Sequence, residues 1–205
     1  MVPCHYRACP EHSAGEAVLL TELLTPDHVV MPVAARDKSG VIAELTRHLA
    51  NRWGCDHSEL LTPDQVVMPV MARDKGGVIA ELTRHLANRW GCDFPTLLEA
   101  VRDREKGGST GIGFGVAIPH ARAAGVPELS LVCGVSPLPV PFDAIDGEPV
   151  RLFFLIVGPP ASAGQHVKLL GRIAKLVRHE DLRQRLVEAA TPDEFYNVLL
   201  DAEAR

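Results

Sequence analysis

The stretch GSTGIGFGVAIPHAR, residues 108–122, decides what kind of fold this chain can have. Glycines stand at 108, 111, 113 and 115, and a short apolar run then closes on Pro119-His120. Glycine-rich loops that cradle nucleotides open into a helix. The P-loop needs Gly-Lys-Ser/Thr behind its glycines, and the dinucleotide fingerprint runs GxGxxG from a strand into a helix. Here no lysine follows, the spacing at 111, 113 and 115 is GxGxG, and GVAIPH reads as a strand ending at a proline. Both nucleotide readings fit poorly. Two others remain open on spacing alone: a structural turn beside a chance histidine, or a loop built to present His120.

Upstream, FPTLLEAVRDREKGG reads as a helix carrying Leu97, Leu98, Val101 and Arg104 along its length and ending at Gly107-Gly108. Before it the chain repeats itself. Residues 22–56 recur at 59–93 with differences only at His28/Gln65, Ala34/Met71 and Ser39/Gly76. Solenoids need three or more repeats to bury a continuous core, so two near-identical copies indicate a tandem duplication rather than an architecture. Each copy reads as one strand, DQVVMPV in the second, and then one helix. In the second copy Val78, Ile79, Leu82, Leu86 and Trp90 recur at helical spacing, and Gly91 is the stop. A lone strand and helix cannot bury their own apolar faces. If the fold has one slot for the unit, the copies compete for it, and the second is favoured by its short connection to residues 94–205.

Downstream, LSLVCGVS (129–136) and RLFFLIVGP (151–159) are near-continuous apolar runs of the buried-strand type, joined by the proline-broken PLPVPFDAIDGEPV. A helix then starts from a cap at Ser162, with Val167, Leu170, Ile173, Ala174 and Val177 expected on one face. DLRQRLVEAA and TPDEFYNVLLDAEA are two short helices, the second with Thr191 as cap and Pro192 at its first position. Buried strands alternating with helices predict an α/β fold whose sheet is covered on both faces.

With 46% hydrophobic and 23% charged residues, the 205-residue chain has the makings of an ordinary globular core. A formal charge of −5 without a dense Lys/Arg block gives no pull toward nucleic acid. The longest apolar run is too short for a membrane helix, and residues 1–20 show no secretory pattern. Five cysteines, two of them equivalent by duplication (Cys55 and Cys92), suit a reducing cytoplasm. Cys4, His5, Cys9 and His12 match no common zinc spacing, so neither a metal nor another cofactor is expected.

Taken whole, RDREKGGSTGIGFGVAIPHAR resembles the active-site stretch of the phosphotransferase-system (PTS) enzyme IIA type-2 family, which covers fructose, mannitol and nitrogen-regulatory forms. That pattern runs Arg-Glu, a gap, Ser-Thr-Gly-Ile-Gly, then Gly-x-Ala-Ile-Pro-His. The likeness continues through FDAIDGEPVRLFFLIVGP, HVKLLGRIAKLV and TPDEFYNVL, covering about residues 59–205. It implies a three-layer sandwich, a mixed β-sheet with helices on both faces. Residues 58–205 would form the IIA domain, and residues 1–57 an N-terminal extension holding the extra copy 22–56.

The resemblance also implies a phosphocarrier. His120 would accept a phosphoryl group from a phosphohistidine protein of the HPr or NPr kind. His166 would be the second active-site histidine, and Arg104 the guanidinium facing the phosphoryl dianion. Ser109, Thr110, Gly111 and Gly113 would form a loop whose backbone N–H groups approach the phosphoryl oxygens, with turn stabilisation an equal alternative for the two hydroxyls. The wording of the motifs leans toward a free-standing nitrogen-regulatory type. The alternatives are a fructose- or mannitol-type IIA passing phosphate to an EIIB subunit, and a regulatory module whose protein contacts are gated by phosphorylation. The expected location is cytoplasmic, with no direct membrane insertion.

Overall fold

The computed structural model describes residues 61–203. The first copy of the duplicated segment, the Cys4–His12 cluster, and His28, His48 and Cys55 lie outside them. Among the described residues six strands form one mixed sheet: β1 (Val66–Val67), β2 (Gly111–Gly113), β3 (Val116–Ala117), β4 (His120–Arg122), β5 (Ser130–Val140) and β6 (Val150–Gly158). The helices are α1 (Lys75–Trp90), α2 (Phe94–Lys106), α3 (Ala163–Leu176), α4 (Glu180–Glu188) and α5 (Pro192–Glu203). Strand order is β1-β5-β6-β3-β2, and β4 pairs with β6 beyond β3. The β1–β5 pair and both β6 pairings with β3 and β4 are parallel, whereas β5–β6 and β2–β3 are antiparallel.

Strand β6 explains why both faces need cover. Leu152, Phe154 and Ile156 point into a core shared with α3, α4 and α5, while Phe153, Leu155 and Val157 point into a second core shared with α1 and α2. A strand apolar at every position from Leu152 to Val157 has no side to give to water. Each helix then supplies one apolar stripe. In α1 this is Val78, Ile79, Leu82, Leu86 and Ala87, opened by an Asp74 cap on Gly77 N–H at 2.9 Å and stopped by Gly91 at φ 63°. The Thr191 cap of α5 is present too, accepting from Glu194 N–H at 3.2 Å.

Five sequence expectations change, one being the Ser162 cap of α3, whose hydroxyl donates to Pro159 O at 2.8 Å and caps no helix N–H. The strand expected at 64–70 is only Val66–Val67; Pro69 has no N–H to give, and ladder-like bonding resumes from Val70 N–H to Val135 O at 2.9 Å. The expected GVAIPH strand is split into β3 and β4, because Ile118 N–H turns away to Thr110 O and Pro119 again has no donor. Strand β5 runs on to Val140 through prolines read as loop, which sit exposed where its register against β6 shifts between Val135 and Val140. Finally, Val167 is 69% exposed; the buried stripe of α3 is His166, Leu169 and Ile173. An apolar-only pattern has no way to count a histidine as part of that stripe.

The second copy occupies the β1–α1 slot, and one of the three differing positions matters there. Gln65 is buried, donates from Nε2 to Leu131 O at 2.9 Å, and accepts from Thr62 N–H and Thr62 Oγ1 at 2.9 and 2.8 Å. A neutral imidazole has one donor and one acceptor at fixed angles and cannot reproduce the amide's set. Met71 is exposed, and a Cβ on Gly76 would meet nothing closer than 3.4 Å, so Ala and Ser fit at those places. Gln65→His is therefore expected to lower stability by about 1–3 kcal/mol, read as an earlier urea midpoint at unchanged slope.

Candidate functional site

Residue His120 opens β4, held in parallel register with Ile156, whose N–H donates to Pro119 O at 2.9 Å. Strand alternation sends Ala121 into the α1–α2 core and leaves His120 and Arg122 on the other side. His120 Nδ1 lies 2.9 Å from Ile118 O, and Arg104 Nε lies 3.1 Å from His120 Nε2. These two contacts fix the tautomer. A carbonyl only accepts, so Nδ1 carries the proton; a guanidinium only donates, so Nε2 presents its lone pair. Arg104 sits in the last turn of α2, and its Nη1 also donates to Gly108 O at 3.0 Å.

The second histidine comes from α3. The His166 ring packs edge-on to His120 with centroids 5.6 Å apart and planes at 62°. It is only 4% exposed, and neither ring nitrogen has a hydrogen-bond partner among the described residues. Burial holds its pKa down to about 4, with the charges of His120 and Arg122 acting in the same direction. His120 is also lowered, chiefly by burial; the bond to Ile118 O and nearby Glu105 oppose this, and Arg104 adds to it. Both rings are neutral near pH 7.

Together these residues line an open cleft of about 570 Å³. The two histidines and the exposed cations Arg104 and Arg122 face apolar walls from Ala100, Pro160, Ala163, Val167 and Leu170. The arrangement offers a neutral nitrogen nucleophile, a guanidinium already at that nitrogen, and a second cation for a dianion.

Of the residues singled out in sequence, the fold brings Arg104, His120 and His166 into this one cleft. Ser109, Thr110, Gly111 and Gly113 do not line it. The polar groups of Ser109 and Thr110 are used in holding the loop to its neighbours. Thr110 gives its N–H and hydroxyl to the Glu105 carboxylate at 3.0 and 2.7 Å. Ser109 Oγ donates to Phe142 O at 2.9 Å and accepts from Gly111 N–H at 3.2 Å. The glycines are required by packing: a Cβ at Gly111 would lie 2.7 Å from Ala144 Cα. At Gly113 it would lie 2.8 Å from Asp146 Oδ2, with φ already at 89°. Sequence reasoning passes over Arg122, although its place two residues beyond His120 on a strand puts it on the same side. Lys75, which pairs with Glu105 at 2.6 Å, leaves no local signal because the pairing spans α1 and α2.

His166 makes a pH prediction whose sign is fixed. Its folded pKa lies below the usual value near 6.5, so between about pH 6.5 and 4 the unfolded chain binds the extra proton. Stability should fall as pH drops through that window, by up to about 3 kcal/mol from this group. Thermal melts of wild type and His166→Gln from pH 4 to 7.5 check it: the variant should lose less stability on acidification.

A family model described as "Phosphoenolpyruvate-dependent sugar phosphotransferase system, EIIA 2" matches residues 59–202. A "Nitrogen regulatory protein" of Pseudomonas aeruginosa is 41% identical over 109 residues, covering 53% of this chain and 70% of that protein. A "PTS system fructose-specific EIIA component" of Haloferax volcanii is 35% identical over 104 residues, covering 51% and 68%. The crystal structure of nitrogen regulatory protein IIA-Ntr from Neisseria meningitidis superposes with a TM-score of 0.66 at 32% identity, covering 69% of this chain and 97% of that one.

Proposed function

The chain belongs to the phosphoenolpyruvate-dependent sugar phosphotransferase system EIIA 2 family, and on that premise we propose that it is a phosphocarrier taking its phosphoryl group on His120 Nε2. The observation that carries this reading is the lone pair of Nε2, set by the Ile118 bond and met by Arg104. Phosphoryl transfer asks a protein mainly for positioning and charge stabilisation. An incoming phosphohistidine would place its phosphorus in line with Nε2, and Arg104 would move off the nitrogen onto the phosphoryl oxygens. The N–P bond to Nε2 forms as the donor's N–P bond breaks, so no free phosphate is released. Nδ1–H stays on Ile118 O, and the ring becomes an N-phosphoimidazolium, so no general base is needed for the N–P bond to form. His166, buried and with no ring partner among the described residues, would hydrogen-bond a phosphoryl oxygen once the group arrives.

The donor in this reading is an HPr- or NPr-like phosphohistidine protein, and the setting is the cytoplasm. Among the described residues no helix is long and apolar enough to cross a membrane. The nitrogen-regulatory type is favoured by the 41% identity to the Pseudomonas protein and by the Neisseria structure. The Haloferax relative keeps a second reading in play, in which phosphate passes to an EIIB subunit. The test is incubation with phosphoenolpyruvate, enzyme I and such a carrier, following acid-labile phosphate on the chain. No uptake would refute the phosphocarrier reading, and onward transfer to an EIIB subunit would select the second.

We place the IIA domain at residues 58–205 and take 1–57 as an N-terminal extension holding the extra copy 22–56. Support comes from the family match, which begins at residue 59, and from the bonds of Gln65 that His28 cannot supply. Deletion of residues 1–57 is expected to leave melting temperature and phosphoryl uptake near those of the full chain; collapse of either would overturn the boundary.

A further inference from the structure

The Nδ1 bond of His120 traces back to one carboxylate. Nδ1 donates to Ile118 O; the N–H of Ile118 donates to Thr110 O at 2.9 Å; and Thr110 N–H and Oγ1 both donate to Glu105. On the other side, Nε2 accepts from Arg104, the residue next to Glu105 in the last turn of α2. Glu105 itself is held from outside. Its side chain is 9% exposed, and Lys75 Nζ lies 2.6 Å from its Oε1. Lys75 also reaches Asp143 Oδ2 at 3.2 Å and Ser109 Oγ at 3.3 Å, and sits 5.3 Å above the Phe142 ring. One ammonium thus ties the start of α1 to the end of α2, the glycine-rich loop and the turn after β5.

We propose that Lys75 is a positioning residue for phosphoryl transfer, acting through Glu105, Thr110 and Ile118 on Nδ1 of His120. This rests on His120 being the phosphoryl acceptor. Lys75 does not line the cleft, and it touches neither histidine. Its work is to neutralise and orient a nearly buried carboxylate that holds Thr110 and, through it, the Ile118 carbonyl. Without the ammonium, Glu105 is left as an uncompensated charge beside the site and has reason to swing toward water. The loop then loses the anchor that sets the ring. The charge itself would also be felt: Glu105 raises the His120 pKa, against the lowering by burial and by Arg104. The charged and titratable groups around the His120 ring are Arg104 and Glu105 on α2, Arg122 on β4 and His166 on α3.

The experiment compares wild type, Lys75→Met, Lys75→Arg and Glu105→Gln in the full chain. The His120 ring is titrated by NMR, and phosphoryl uptake is measured from a phosphorylated HPr-like carrier. Lys75→Met should raise the His120 midpoint, because the carboxylate loses its counter-ion, and Glu105→Gln should lower it. Lys75→Met should cut kcat on the order of tenfold with KM for the carrier nearly unchanged, and Lys75→Arg should recover most of the loss. A purely structural lysine would instead lower melting temperature and the fraction of phosphorylatable protein, leaving the midpoint in place. That result, or an unchanged midpoint and rate in folded Lys75→Met, overturns the inference. Glu105→Gln keeps the side-chain shape, so an unmoved midpoint there overturns it equally if Lys75→Met fails to fold. The titration needs no phosphoryl donor, so it remains decisive where uptake itself fails.

Discussion

His120→Asn is expected to reduce phosphoryl uptake to background. An asparagine amide can still donate to Ile118 O, so the β3–β4 break and its neighbours keep their bonds, and the variant should fold. What disappears is the nucleophile: an amide nitrogen has no basic lone pair, whereas the neutral imidazole presents one on Nε2. Because the group is carried covalently, no other cleft residue can substitute. His166 is the nearest rival. It is 4% exposed and packs edge-on against the His120 ring, as a neighbour of the proposed acceptor. The measurement is acid-labile phosphate per mole of protein after incubation with phosphoenolpyruvate, enzyme I and the carrier. Uptake by His120→Asn at the wild-type rate would overturn the assignment.

Arg104→Met should come next in size. The guanidinium bonds Nε2 in the resting site and is the cation best placed to follow the phosphoryl oxygens as charge moves. A hydrogen bond to a charged group contributes about 1.5–3 kcal/mol, equivalent to roughly a 10- to 150-fold loss in the transfer rate. Methionine keeps much of the apolar stem along the cleft wall while removing every donor. Arg104→Lys should rescue only part of the loss, because an ammonium cannot replace the fork that spans Nε2 and Gly108 O. Single-turnover rates with a phosphorylated carrier check this. If Arg104→Met transfers at the wild-type rate, the arginine is a rim charge and nothing more.

These two effects depend on residues that the sequence brings forward for different reasons. His120 is legible because a strand ending in Pro-His after crowded glycines is an unusual local event, and Arg104 because it stands in the stretch that carries the family resemblance. The alternation of β4 also holds Arg122, two residues on, although apolar patterning alone gives no reason to look there. His166 is legible only through resemblance. As a residue on a helical stripe it looks like an exposed polar start, and the expected face runs through Val167 instead. The helix rotates by one position to bury His166, because the sheet face beneath α3 is apolar and Leu169 and Ile173 must cover it.

The glycine-rich loop shows the opposite case. Its glycines, serine and threonine are conspicuous in sequence and invite a phosphate cradle. In the fold they are consumed by packing and internal bonds: Gly111 against Ala144, Gly113 against Asp146, Thr110 on Glu105 and Ser109 on Phe142. The partners lie 5 to 33 residues away along the chain, most of them on a connection that the sequence shows only as proline-broken.

By itself the sequence determined the alternation of buried strands and one-faced helices, the Gly91 stop of α1 and the Thr191 cap of α5, the duplication, and a histidine set at the end of a glycine loop. Each is a local property, written in spacing, turn chemistry or self-similarity. Only the tertiary structure decided which nitrogen of His120 is free, that His166 is buried beside it, that Gln65 fits the β1–α1 slot, and that Lys75 holds Glu105. The last three depend on contacts between elements far apart in the chain, and no window of sequence contains both partners of such a contact. The first depends on close partners, Ile118 O and Arg104, but only the folded loop brings them onto the two ring nitrogens.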